Sequence, residues 1–312
     1  MNGPHAITGQ FVKRTAPLWH FLRLTRPLFL LGGALLYALG AVFAWRQGAP
    51  ISPPAYLLGQ ALVTAIQLMT HYANEYYDQE SDRLNAAGRT WFSGGSGVLV
   101  EGFLSPVVAQ RAGYLMGVLA LVLLITAGLR SPLLFGLGLL SLLTAWFYSA
   151  PPLTLARSGW GELSASLVVA LLVPIVSYTQ QTGSWVDPRL LWACLPLVLI
   201  HWSMLIAFQI PDITADRRAG KRTLSVRLGA RRAIQLHNLI LILAGLTALA
   251  IGLMGSPAVR FAWLALPLAV WQMAAAPAYL RSSPPPNLWL TMRALALFAV
   301  CALLWLLGIA LG

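Results

Sequence analysis

Residues 54–82 decide how this chain is read: an apolar stretch opening at Pro54 closes on Asn74-Glu75-Tyr76-Tyr77-Asp78-Gln79-Glu80-Ser81-Asp82. Asn74, Asp78 and Asp82 are spaced i, i+4, i+8, so a helix presents them on one face. At about 100° per residue, Gln60, Thr64, Gln67 and His71 fall near the same line, and the polar face runs back into the apolar stretch. Lipid penalises such a stripe, so it must face a bundle interior or a water-filled cavity. For the glutamines, hydrogen bonding between helices is a workable alternative. For the carboxylates it is not, because like charges one turn apart repel unless a cation lies among them.

The rest of the chain has the composition of a membrane protein. Of its 312 residues 58% are hydrophobic and 10% charged, where a soluble domain is about half apolar and a quarter charged. At roughly 20 residues per crossing, this length accommodates about nine spans. Apolar runs stand at roughly 27–46, 54–78, 108–128, 131–148, 161–180, 188–211, 232–254, 258–280 and 288–311. The reading is an all-α polytopic membrane protein: one domain over residues 1–312, with about nine transmembrane helices and residues 1–22 as a cytoplasmic N-terminal segment. The net charge of +12 does not point to nucleic acid, because the basic residues punctuate the apolar runs. Of the 21 lysines and arginines, only Arg46, Arg130, Arg189 and Arg260 fall in the loops of one side. The other side holds the rest, from Lys13 and Arg14 to Arg281 and Arg293, and so is cytoplasmic. That places the N-terminus inside and the C-terminus outside. The acids follow the arginines, with only Asp187 on the outer side. Cys194 and Cys301 sit in apolar runs without metal-ligand spacing. The N-terminus lacks the pattern of a cleaved signal, so no removed segment is expected.

A second acidic motif closes the sixth run: Pro211-Asp212-Ile213-Thr214-Ala215-Asp216, followed by Arg217-Arg218-Ala219-Gly220-Lys221-Arg222-Thr223-Leu224. Runs two and six both end on the cytoplasmic side, so the two aspartate pairs can meet across one cytoplasm-facing cavity. Oxygen ligands with open positions suit Mg²⁺, which shares its shell with substrate phosphates. Lys221, one of two lysines in the chain, and Arg222 add positive charge for an anion, although positive-inside charge alone accounts for part of the basic segment. The combination describes a diphosphate clamp.

These residues resemble the UbiA superfamily of intramembrane prenyltransferases. Asn74-x3-Asp78-x3-Asp82 is similar to the family's first motif, and Asp212-x3-Asp216-x3-Gly220-Lys221-x-Thr223-Leu224 to its second. Residues 93–97 (Ser-Gly-Gly-Ser-Gly), Tyr148-Ser149-Ala150-Pro151-Pro152 with Gly159-Trp160-Gly161-Glu162, and Pro174 with 178–183 resemble the 1,4-dihydroxy-2-naphthoate branch, which makes menaquinone precursors. The resemblance implies an enzyme of the cell inner membrane that moves a prenyl group from a polyprenyl diphosphate to an aromatic acceptor. It implies Mg²⁺ on Asn74, Asp78, Asp82, Asp212 and Asp216, with Lys221 and Arg222 sharing the diphosphate charge. Tyr148 would face the allylic cation, Arg157 or Arg26 would contact phosphate or an acceptor carboxylate, and the glycine loop would close over the site. Two positions depart from the branch: Phe208 and Pro211 stand where Asn and Arg are usual, which leaves 4-hydroxybenzoate, homogentisate or a glycerol phosphate lipid open as acceptors. Pro211 should also bend the helix.

A membrane transporter is the rival from another class, but it calls for ionisable residues near the midplane, which most of the runs lack. Beyond substrates and membrane lipid, no feature asks for an obligate protein partner.

Overall fold

Proline and a capping side chain mark where most of the long helices begin. In the computed structural model, which describes residues 17–129, 131–254, 261, 263–283, 285 and 287–312, α1 spans Pro17–Thr25, α2 Pro27–Arg46 and α3 Pro53–Tyr77. The short α4 (Gln79–Leu84) is followed by α5 (Pro106–Gly128), α6 (Pro132–Ser149) and α7 (Leu155–Ser158). Then come α8 (Gly161–Thr182) and α9 (Pro188–Gln209). The short α10 (Ile213–Arg218), α11 (Leu224–Leu253), α12 (Trp263–Leu280) and α13 (Asn287–Leu311) complete the chain. Ser52, Ser131 and Asp187 cap α3, α6 and α9 by accepting from Ala55, Leu134 and Arg189 backbone N–H groups. Among the described residues there is no strand.

Eight of these helices are long and apolar enough to cross a membrane. The ninth expected span is α3, whose 25 residues cover about 37 Å. Its polar stripe lowers its apolarity, and burial within the bundle makes that tolerable. It packs most extensively on α5 and also meets α2, α6 and α8. Gln67 donates to the Phe29 carbonyl at 3.3 Å, and Gln60 to Thr64 Oγ1 at 3.1 Å. Gln67 thus bonds to a neighbouring helix and also lines an internal cavity, whereas the Gln60 bond stays within α3. The chain is a multi-pass membrane protein.

Two departures from regular helix shape the bundle. In α8, Val168–Leu172 forms a π turn ahead of Pro174, which has no N–H to give to an α ladder. A Cβ at Gly40 would collide with the Pro174 carbonyl, so α2 and α8 touch backbone to backbone there. In α11, Gly229 (φ 74°, ψ 161°) breaks the helix, so the apolar crossing begins after it, close to the expected residue 232.

The expected N-terminal segment up to residue 16, with Lys13 and Arg14, lies outside the described residues, as do Arg130, Arg260 and the first residues of the run expected at 258–280. Residues 17–25 form α1, which packs on α3 through Phe21 and Leu24 beside Tyr72, stacks buried His20 on Phe103, and leaves Leu18, Trp19 and Leu22 exposed. That amphipathic pattern suits the interface of a membrane.

Candidate active site

Both aspartate motifs lie where a long helix gives way to a short one. At the end of α3, Asp78 takes φ −100° and ψ 6°, and α4 starts at the next residue in a new direction. The ladder continues through the bend, because Asp82 N–H still donates to the Asp78 carbonyl at 3.0 Å. Asp82 thus sits on a separate short helix, yet it faces the same cavity as Asn74 and Asp78. At the second motif α9 ends at Gln209, Pro211 interrupts it as expected, and α10 begins at Ile213. Asp216 N–H donates to the Asp212 carbonyl at 2.8 Å.

The two motifs face each other across a cavity of about 250 Å³, lined by Asn74, Asp78, Asp82, Asp212, Asp216 and Lys221 together with Asn85 and Ser93. Lys221 joins the pairs: its Nζ lies 3.1 Å from Asp78 Oδ2 and 3.3 Å from Asp216 Oδ1. The approach depends on Gly220, whose φ of 71° turns the chain so that Lys221 N–H reaches the Asp216 carbonyl at 2.9 Å. Asn74 Nδ2 donates to Asp78 Oδ2 at 2.7 Å and to Ser149 Oγ at 3.2 Å.

One ammonium does not balance this much negative charge. Burial, followed by the charges of Asp78 and Glu75, pushes the Asp82 carboxyl well above its usual range. Burial and the neighbouring Asp216 push Asp212 up to about 7. Asp216 is raised by burial, against the pull of Lys221. Burial opposes the charge on Lys221, but Asp78, Asp216 and Asp82 outweigh it and hold the ammonium above its ordinary value. Among the described residues no three His, Cys, Asp or Glu side chains close on a single point as a finished metal site. The carboxylates line opposite walls, with room between them for a cation that brings its own further ligands.

The segment between α4 and α5 forms one wall. Gly94, Gly95 and Gly97 all have φ between 71° and 78°, and a Cβ at Gly95 would collide with the Asp82 carboxylate. Glu75 anchors the segment by accepting from Ser96 N–H at 2.6 Å and Ser96 Oγ at 2.7 Å. Asn85 Nδ2 reaches across to Asp212 Oδ1 at 2.6 Å and so links the two motifs directly. The expected closing loop is seated against the site, held by groups that the glycine pattern does not reveal.

The remaining residues expected at the site divide. Arg26, in the left-handed region (φ 49°) ahead of α2, lines the cavity, and its guanidinium lies 5.2 Å over the Phe29 ring. Tyr148, near the end of α6, also lines it. Arg157 and Arg222 do not. Arg157 Nη2 donates to the Ala219 carbonyl at 2.7 Å, and its own carbonyl accepts from Arg222 N–H at 2.7 Å. Arg157 therefore shapes the turn that delivers Lys221, while the Arg222 side chain is exposed. Residues that spacing did not single out include Asn85, Ser93 and an aromatic group at the mouth. Phe208 stacks on Phe92 at 6.2 Å, and Phe29 meets both edge-on at 6.3 to 6.5 Å.

Beneath this polar mouth lies a larger, almost wholly apolar chamber of about 530 Å³. The residues the two spaces share include Phe29, Thr70, His71, Phe92, Tyr148, His201 and Met204. A charged cradle opening onto an apolar chamber fits an amphiphile with a polyanionic head. The model of the UbiA prenyltransferase family matches residues 34–298, which takes in both motifs. The chain belongs to this family. It is therefore a prenyltransferase, as the two motifs implied.

The chain is 28% identical over 235 residues to a 1,4-dihydroxy-2-naphthoate octaprenyltransferase of Mycobacterium tuberculosis, covering 73% of each chain. It is 26% identical over 234 residues to a digeranylgeranylglyceryl phosphate synthase of Sulfurisphaera tokodaii, covering 73% of this chain and 76% of that one. The fold matches that of a UbiA homolog from Archaeoglobus fulgidus solved bound to GPP and Mg²⁺. There the TM-score is 0.62 at 21% identity, over 94% of this chain and 100% of the other.

Proposed function

We propose that this UbiA prenyltransferase carries out the Mg²⁺-dependent transfer of a polyprenyl group from its diphosphate to an aromatic acceptor, 1,4-dihydroxy-2-naphthoate. The observation that carries the transfer is the pairing of two aspartate motifs through Lys221 above an apolar chamber. The metal is supported by the donor set, which is hard oxygen throughout, and by the Asp82 and Asp212 carboxyls, raised first by burial and then by neighbouring acidic charge. Asp78, Asp82, Asp212, Asp216 and Asn74 would hold it, and what it supplies is neutralisation of the charge on the departing diphosphate. Lys221 would then turn from the carboxylates to the phosphate oxygens. Tyr148 lies at the neck between mouth and chamber, where its ring can face an allylic cation. The wall from Asn85 to Ser96 excludes water that would quench that cation.

The acceptor reading rests on the relative from Mycobacterium tuberculosis and on the aromatic group of Phe29, Phe92 and Phe208, which offers flat apolar surface to a fused ring. Such an acceptor makes the reaction a step towards menaquinone. Phe208, a departure from the usual polar residue, thereby becomes part of the ring's seat. The test is a competition in membranes containing the protein, with a long prenyl diphosphate and equal amounts of naphthoate, 4-hydroxybenzoate, homogentisate and geranylgeranylglyceryl phosphate. The prenylated naphthoate is the expected product; prenylation of another acceptor in its place refutes the assignment.

The excess of basic residues in alternate loops supports a site on the cytoplasmic face of the membrane, with the C-terminus outside. A cysteine introduced at Glu101, between α4 and α5, is expected to resist an impermeant thiol reagent in intact cells and to react once they are opened. Labelling in intact cells would invert the topology.

Proton competition gives a further expectation. The raised Asp212 carboxyl disfavours the folded protein without metal as pH climbs from its unfolded value through about 7. Below about 7 a proton occupies the folded-state Asp212 carboxyl, whereas magnesium needs the carboxylate. Magnesium should therefore raise the melting temperature little at about pH 6 and clearly more at about pH 8. Equal shifts at the two values would contradict a carboxylate site.

A further inference from the structure

Few groups at the neck between mouth and chamber can accept a proton. Among the residues that line both spaces, only His71 and His201 carry a neutral nitrogen base. The hydroxyl of Thr70, also there, is spent on the Ile66 carbonyl at 2.8 Å. Hydrogen bonds fix the tautomer of each histidine. His71 Nδ1 lies 2.8 Å from the Thr25 carbonyl oxygen, which can only accept, so Nδ1 bears the proton and Nε2 keeps its lone pair. His201 Nδ1 lies 2.9 Å from Ser166 Oγ, whose own proton goes to the Glu162 carbonyl at 2.7 Å. It too is protonated on Nδ1.

Position separates them. His71 precedes Asn74 by three residues on α3, about 4.5 Å along the axis, so its ring sits directly below the diphosphate residues. His201 lies two turns before Gln209, and its ring meets Phe298, a chamber residue, at 4.8 Å. Phe29 stands edge-on to His71 at 6.2 Å and links it to the aromatic seat. The imidazole thus lies between the place for the leaving group and the place for the ring.

We propose that His71 is a catalytic base whose Nε2 takes the hydroxyl proton of the acceptor. This rests on the proposed prenylation of a hydroxylated acceptor. In the step, the acceptor O–H bond breaks and its electron pair feeds the ring, while a ring carbon bonds to C1 of the prenyl group. The C1–O bond to diphosphate breaks, the diphosphate leaves with that electron pair, and the proton rests on His71 Nε2. The bond to Thr25 holds the ring in the tautomer that this transfer needs.

The variant that isolates the role is His71→Asn, because its amide N–H can still serve the Thr25 carbonyl while the Nε2 lone pair is gone. With the acceptor that the unmodified protein turns over, prenylation is expected to fall by about 100-fold or more, with Mg²⁺-dependent binding of geranylgeranyl diphosphate unchanged. The deficit should shrink across ring-fluorinated acceptors of rising hydroxyl acidity, since these need less help from a base. A loss of only a few-fold, a deficit that ignores acidity, or a parallel loss of diphosphate binding would each overturn the role. If His71→Asn does not assemble, His71→Ala is assayed with imidazole in solution. Recovery supports the base and its absence overturns it. If the unmodified protein ignores naphthoate and prenylates another hydroxyl compound, the acceptor assignment fails, and the His71 comparison is made on that compound.

Discussion

Replacing Asp78 or Asp212 with alanine is expected to lower turnover by about 100- to 1,000-fold or more, the scale of losing one electrostatic contact to a transition state, while the bundle stays assembled. Both side chains lie at the junctions of long and short helices, outside the apolar clusters of the bundle. Asp78 shares its carboxylate between Asn74 and Lys221, and Asp212 is held by Asn85. Each variant therefore removes one wall of a single charged cavity. The steady-state rate in purified protein, beside a melting curve, separates this from misfolding. If the four carboxylates act on one ligand, as proposed, combining Asp78→Ala with Asp212→Ala should cost little more than either alone. Near-native rates in either single variant would show that the motif it belongs to is structural.

Lys221→Ala is expected to act twice. Without metal it strips Asp78 and Asp216 of their shared partner inside the bundle, and breaking a buried pair on one side typically costs about 3–5 kcal/mol. The melting temperature of the metal-free protein should fall clearly, and magnesium should restore more of it than in the unmodified chain, because a cation replaces the lost ammonium. In turnover, the KM for prenyl diphosphate should rise by tenfold or more while the acceptor KM changes little. An unchanged melting temperature without metal, or a rise confined to the acceptor KM, would contradict the role given to Lys221.

Much of this was legible in the residues, for reasons that particular positions make plain. Spans such as α9 and α13 could be read from continuous apolarity, and α3 was read as an apolar run too, although the stripe of Gln60, Gln67 and His71 leaves it less apolar than the eight other crossings. Aspartates four apart at two run ends marked the site, because such spacing has no cheap structural use. What spacing could not show was the bend at Asp78, which depends on how α4 packs on α10. Nor could it show Asn85, a single amide in a polar segment whose partner lies 127 residues away. Arg222 was expected at an anion because it adjoins the second motif, and Arg157 because of the family resemblance, yet Arg157 supports a turn and Arg222 faces out. Phe208 read as the loss of a polar group, and only the fold shows its ring against Phe92 and Phe29. A lone histidine in an apolar run carries no signal of its own, so His71 acquires meaning from the two spaces it lines.

The central claim, that both aspartate motifs hold one metal-bound diphosphate, is tested most directly by calorimetric binding of geranylgeranyl diphosphate to the purified full chain. Saturable binding is expected with magnesium and none with a chelator. Asp78→Asn and Asp212→Asn should each abolish it, while the apolar chamber still takes up geranylgeraniol. Undiminished magnesium-dependent binding in either variant would contradict a shared clamp.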